Sequence, residues 1–226
     1  MNELKYGNLT KSLQSKLDVE NIFTKYKSDF SFIEYPNYYE SSEEIISIIK
    51  AQESARTSEK WDAIKSFCLL WDKDFVSGIE NMLDRLDIPF DDDYMDYILK
   101  AVDDLNVLVV QLKSNYQRPR PFQVAYYTNQ NLHPYESASA QSPSYPSGHA
   151  ITALFICNIV AHHYEDKKEE LLKIAKQVAD SRIILGLHYP SDNSFGFQVV
   201  KELILKEDIK SKYFPVFDSE QEEESV

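Results

Sequence analysis

Apolar residues return every three or four positions through most of the chain. Ile45, Ile46, Ile48 and Ile49 sit among polar neighbours, and Trp61, Ile64, Phe67, Cys68 and Trp71 follow with the same spacing. It continues through Tyr97, Ile98, Ala101, Val102, Leu105, Leu108, Val109 and Leu112, then Leu171, Leu172, Ile174, Ala175, Val178 and Ala179, then Val199, Val200, Leu203 and Ile204. A period near 3.6 is that of helices burying one face, and strand-like alternation is scarce. The pattern predicts an all-α, single-domain helical bundle.

Two stretches break the period. Residues Phe122 to Tyr145 form a connection far longer than the usual few residues, which predicts a functional or partly structured loop. From Asp218 to Val226 nearly every residue is acidic or polar, which predicts a solvated disordered tail. The expected layout is one domain over 1–217 and a tail over 218–226, in keeping with a length of 226 residues.

A formal charge of −13 excludes a general surface for nucleic acid or anionic membranes, because both need a basic footprint. Any anion site must be a local exception. The longest apolar run, Ala150 to Ala161, is too short to span a membrane, and Met1 to Tyr6 lacks the pattern of a secretory signal. As written, the chain reads as cytoplasmic or otherwise non-exported. The two cysteines, Cys68 and Cys157, lie in apolar stretches and read as buried reduced thiols.

Three short stretches carry the chemistry. In the first, Lys113 closes an apolar helical run and Arg120 lies seven positions on, with Pro119 and Pro121 between and after. Proline disfavours helix in the residue before it, so the chain is expected to leave the helix near Gln117 and swing Arg120 inward through an extended turn. In the second, Pro146-Ser147-Gly148-His149 precedes an apolar run. Ser147 reads as an N-cap and Gly148 as a residue that leaves room for a close ligand, at a helix start whose free N–H groups suit an anion. In the third, Ser181-Arg182 belongs to a helix from about Lys167 that Gly186 ends. His188 follows, and Pro190 opens what reads as the last helix, with Asp192 four residues after His188, within reach of the imidazole.

Taken together these stretches follow K-x6-R-P, P-S-G-H and S-R-x5-H-x3-D. The chain here resembles the superfamily of type 2 phosphatidic acid phosphatases, bacterial class A acid phosphatases and vanadium-dependent haloperoxidases. It resembles the class A enzymes most, through Phe122 after Arg120-Pro121, Ser144-Tyr145 before Pro146, and the run Ile183-Ile184-Leu185-Gly186-Leu187 before His188. The resemblance covers about Lys113 to Asp192. Upstream it is limited to stretches such as Tyr35-Pro36 and Gln52 to Glu59, from which no function is carried. Class A enzymes are usually exported, and the N-terminus departs from that.

The resemblance implies a metal-independent phosphomonoesterase acting through a phosphohistidine, without a cofactor, on a small phosphomonoester. His188 would be the nucleophile, Asp192 its orienting carboxylate and His149 the proton donor. Lys113, Arg120, Arg182 and the Ser147-Gly148 backbone would hold the phosphate oxygens. Two other readings stay open: a haloperoxidase holding vanadate on His188, and a phospho-ligand binding module without turnover. Oligomeric state and physiological substrate are not legible. Other residues read blandly: His162-His163 as a solvated helix end, His133 as a surface residue, Asp91 to Asp93 as a helix-start cluster. Arg118 has the chemistry of Arg120 but not the motif's spacing.

Overall fold

In a computed structural model, residues 4–215 are described. The tail read at 218–226 and the last two residues of the 1–217 domain lie outside them. Helices run α1 (Lys11–Gln14), α2 (Lys27–Phe30), α3 (Tyr38–Arg56), α4 (Trp61–Lys73), α5 (Phe75–Arg85), α6 (Asp92–Tyr116), α7 (Pro121–Thr128), α8 (Gly148–His163), α9 (Lys168–Ile184), α10 (Pro190–Leu203) and α11 (Glu207–Tyr213). The described residues contain no strand, so the fold is all-α as the periodicity predicts. No described helix is long and apolar enough to cross a membrane.

The sequence of α8 explains its central place. Residues 150–157 and 159–161 are all buried, and a helix apolar on every side is stable only when surrounded. α6, α9 and α10 pack around it. Midway along it Phe155 meets Phe23 edge-on at 5.4 Å, and Phe23 stacks on Tyr213 at 5.3 Å. Tyr213 belongs to α11, so α10 is not the last helix: a seven-residue helix is too short to display a period of its own. Both cysteines are buried and free.

Local signals set the helix ends that frame the motifs. Asp91 Oδ1 caps α6 by accepting from Tyr94 N at 2.8 Å, and Asp92 and Asp93 sit in the first turn, where carboxylates suit the dipole. α6 stops at Gln117, in the left-handed region at φ 54°, two residues before Pro119. The chain then extends through Arg120 (φ −68°, ψ 155°), and Pro121 starts α7 at its first position. The long connection is thus partly structured: its first part is α7, and the remainder carries a 3₁₀ turn at Ala138–Ala140.

α3 crosses the outside of this region. Its Ile45 and Ile48 form a buried cluster with Val124 and Ala125 of α7 and with Tyr189. Ile46 is exposed, so the isoleucine run buries one stripe only. Gln52, also on α3, donates through Nε2 to His133 O (2.8 Å) and Ile184 O (3.1 Å), tying the connection to the end of α9. Gly186 ends that helix at φ 72°, where a side chain would be strained. Gly196 has a different task. A Cβ there would lie 3.1 Å from Ser147 O and 3.2 Å from Ile151 Cγ1, so only glycine lets α10 lie this close to the start of α8.

Candidate active site

Lys113, Arg120, Gly148, His149 and His188 line one cavity of about 580 Å³, and the three motifs therefore meet in space. Trp71, Asp72 and Phe75 close one side, Val102, Val109 and Val110 of α6 another, and Ser139 and Ser142 of the long connection a third. Ser147 and Arg182 do not line it, although Arg182 touches Asp72 and His149, which do.

His188 is buried between a carboxylate and a guanidinium. Its Nδ1 donates to Asp192 Oδ2 at 3.0 Å, which leaves the lone pair on Nε2. Arg120 Nη1 donates toward that nitrogen at 2.9 Å. The i,i+4 reach from His188 to Asp192 works because Asp192 is the third residue of α10, where Oδ2 also accepts from Tyr189 N at 2.9 Å. Burial first, then Arg120, Lys113 and Arg182, hold the His188 pKa well below the ordinary imidazole value. The ring is neutral near pH 7.

Arg120 is fully occupied. Its Nε donates to Ser142 O (2.7 Å), Nη1 also to Leu187 O (2.8 Å), and Nη2 to Ser139 O (3.2 Å) and Ser142 Oγ (3.3 Å). An incoming anion therefore competes with Ser139 and Ser142 for the guanidinium. Burial lowers the Arg120 pKa to about 10. Lys113 Nζ donates to Pro143 O at 2.5 Å and approaches Ser144 O at 3.4 Å. Burial, then Arg120, push its pKa well down, against the pull of Asp192.

The start of α8 differs in part from the sequence reading. Ser147 Oγ accepts from Ala150 N at 3.4 Å, as an N-cap should. However, its own N–H donates to Asp192 O at 3.0 Å, which removes it as an anion donor. Gly148 and His149 supply the first-turn N–H groups, which have no partner within a helix. A Cβ on Gly148 would come 3.3 Å from Val109 Cγ1, so this glycine serves the approach of α8 to α6 as well as room for a ligand.

His149 Nε2 donates to Trp71 O at 3.1 Å. Arg182 Nη1 lies 3.4 Å from the same nitrogen, an approach of two N–H groups rather than a bond. Burial first, then Arg182 and His188, hold the His149 pKa well below the ordinary value. The ring must gain a second proton before it can give one away.

Arg182 is not the free cation the motif suggests. Its Nη1 donates to Asp72 Oδ1 at 2.7 Å and its Nη2 to Cys68 O at 2.8 Å. Asp72 Oδ1 also accepts from Ser137 Oγ (2.6 Å) and Ser139 Oγ (3.1 Å), so one carboxylate of α4 joins Arg182 to the long connection. No motif contains Asp72; its only sequence signal is its place beside Trp71 at the end of an amphipathic run.

Arg118, the residue with the wrong spacing, lies on the far side of Asp192. Its Nη1 donates to Asp192 Oδ1 at 2.6 Å and its Nη2 to Glu44 Oε2 at 2.7 Å. Its guanidinium lies 3.8 Å from the centre of the Tyr189 ring. The residues set aside in the sequence stay outside the cavity. His162 Nε2 meets Pro215 O at 2.9 Å, and His133 is exposed, engaging Gln52 only through its backbone.

The profile of the PAP2 superfamily matches residues 101–199, from within α6 to within α10, a stretch that contains all three motifs. Over these residues the chain is similar to that superfamily, which supports phosphatase-type chemistry in general. No curated protein matches the chain.

Proposed function

We propose that the chain is a metal-independent phosphomonoesterase, of the kind represented by class A acid phosphatases, that works through a phosphohistidine on His188. The observation that carries this reading is the His188–Asp192 bond at 3.0 Å with Nε2 directed to Arg120 in a cavity shared with Lys113 and His149. Lys113, Arg120, His149 and His188 all have pKa values below their ordinary ones, through burial first and then through repulsion by neighbouring cations, which negative charge in the cavity would relieve. A phosphate dianion supplies it.

Bound phosphate draws Arg120 off the Nε2 lone pair, and Lys113, Arg120 and the Gly148-His149 N–H groups share its equatorial oxygens, with Arg182 behind them as a further positive charge. Nε2 attacks phosphorus as the ester P–O bond breaks, and the leaving oxygen takes a proton from His149. Asp192 stabilises the imidazolium-like ring that results. Water then attacks the phosphohistidine, giving its proton to His149, and the P–N bond breaks to release phosphate and neutral His188. The charge on the anion also raises the pKa of His149 and prepares it as the acid.

Rapid quenching without acid during turnover of nitrophenyl phosphate tests the reading. The expected product is an acid-labile, base-stable phosphate on His188, formed with excess chelator present and absent from His188→Ala, which is also inactive. A label elsewhere, or normal turnover by His188→Ala, refutes it.

A further inference from the structure

Asp192 has to serve His188 while it is gripped by Arg118. The Arg118–Asp192 contact is 2.6 Å with both side chains fully buried. A buried guanidinium this close would by itself consume the carboxylate's charge, leaving little to stabilise a positive His188. Glu44 changes that balance. Its Oε2 accepts from Arg118 Nη2 at 2.7 Å and from Ser191 Oγ at 2.8 Å, and its Oε1 accepts from Ser191 N at 2.7 Å. The four groups Glu44, Arg118, Asp192 and His188 thus form one chain, two negative, one positive and one that becomes positive during the reaction. The chain is neutral only when His188 carries its charge.

We propose that Glu44 is a positioning residue for the catalytic pair, offsetting Arg118 so that Asp192 remains an effective counter-charge for His188. The inference rests on the phosphatase reading for its catalytic consequence, but the linkage itself concerns this chain's charges alone. Glu44 is carried by α3, outside the matched stretch 101–199. It is held in register by Ile45 and Ile48 against Val124, Ala125 and Tyr189. Ser41, one turn earlier, accepts from Arg118 Nη2 at 2.9 Å, so two α3 side chains meet the guanidinium. Tyr189 at 3.8 Å, Tyr35 at 5.4 Å and Tyr145 at 5.8 Å surround it on its faces.

The test is a titration of the His188 ring by nitrogen NMR in the full chain saturated with sulfate, beside the pH profile for nitrophenyl phosphate. The other charges facing His188 are those of Arg120, Lys113, Arg182, His149 and Asp192, and all stay in place in Glu44→Gln. That variant keeps one oxygen as the acceptor for Ser191 N and loses the charge together with the Oε2 acceptor that Arg118 uses. Its His188 midpoint should fall by about one pH unit, and kcat by about tenfold with KM little changed. Glu44→Gln combined with Arg118→Met removes the offending cation too and should return the midpoint toward the wild-type value. If Glu44→Gln does not fold, the double variant decides, since it restores the wild-type net charge around His188 by removing one negative and one positive group together. A midpoint unmoved in Glu44→Gln, or one in the double variant still about one pH unit below wild type, overturns the proposal. If the wild-type protein turns over no phosphomonoester, the phosphatase reading fails while the NMR titration still decides the linkage.

Discussion

Replacing Asp72 by Asn removes the charge that faces Arg182 while keeping an oxygen for Ser137 and Ser139. The contact is 2.7 Å, with side-chain exposures of 0% for Arg182 and 3% for Asp72. Breaking a buried pair by removing one partner costs about 3–5 kcal/mol, because the remaining charge is left uncompensated. The low end applies, since Asp72 also lines a cavity that solvent can enter and the amide preserves its hydrogen bonds. About 3 kcal/mol is a large share of the usual 5–15 kcal/mol, yet leaves a folded protein.

If Arg182 stands behind the anion site, a bound anion becomes its counter-charge in the variant. Sulfate should then bind Asp72→Asn about tenfold more tightly than wild type, which returns about 1.4 kcal/mol at saturation. Urea unfolding with and without saturating sulfate measures both quantities, with the slope of the transition held common. A destabilisation the same with and without sulfate would show that the Asp72–Arg182 pair is a strut unrelated to anion binding.

The pH dependence of anion binding has a definite sign. His149 and His188 are held below the ordinary imidazole pKa in the folded state, so the unfolded chain binds more protons as pH falls below about 6.5, and stability without anion declines there. Sulfate reverses the depression at His149, so its affinity should rise from pH 7 to pH 5, by up to about tenfold per pH unit for one proton taken up. Calorimetry in buffers of different ionisation heat counts that proton, and a flat affinity would refute the assignment. At Gly196, alanine would place Cβ 3.1 Å from Ser147 O and 3.3 Å from Ala150 Cβ. Such overpacking costs about 1–3 kcal/mol, and a thermal midpoint lower by several degrees is expected, whereas an unchanged one would mean α10 shifts freely against α8.

The sequence alone determined the helical class and the local form of each motif, for one physical reason: both depend on short-range geometry. Helical period, the proline that frees Arg120, the serine cap of α8 and the four-residue reach from His188 to Asp192 are all settled within one or two turns of chain. The outer site depends on which helices lie side by side. Glu44 arrives from 74 positions before Arg118 and Asp72 from 110 before Arg182. In sequence each is an acidic residue beside an apolar stripe, as many surface carboxylates are. Arg118 reads in sequence as a spare cation, and only packing gave it Asp192 and Glu44 as partners. Ser147 lost its N–H to Asp192 through the close approach that Gly196 allows. Which charges are free and which are spent is a property of burial and distance between remote segments, and local spacing holds no record of it.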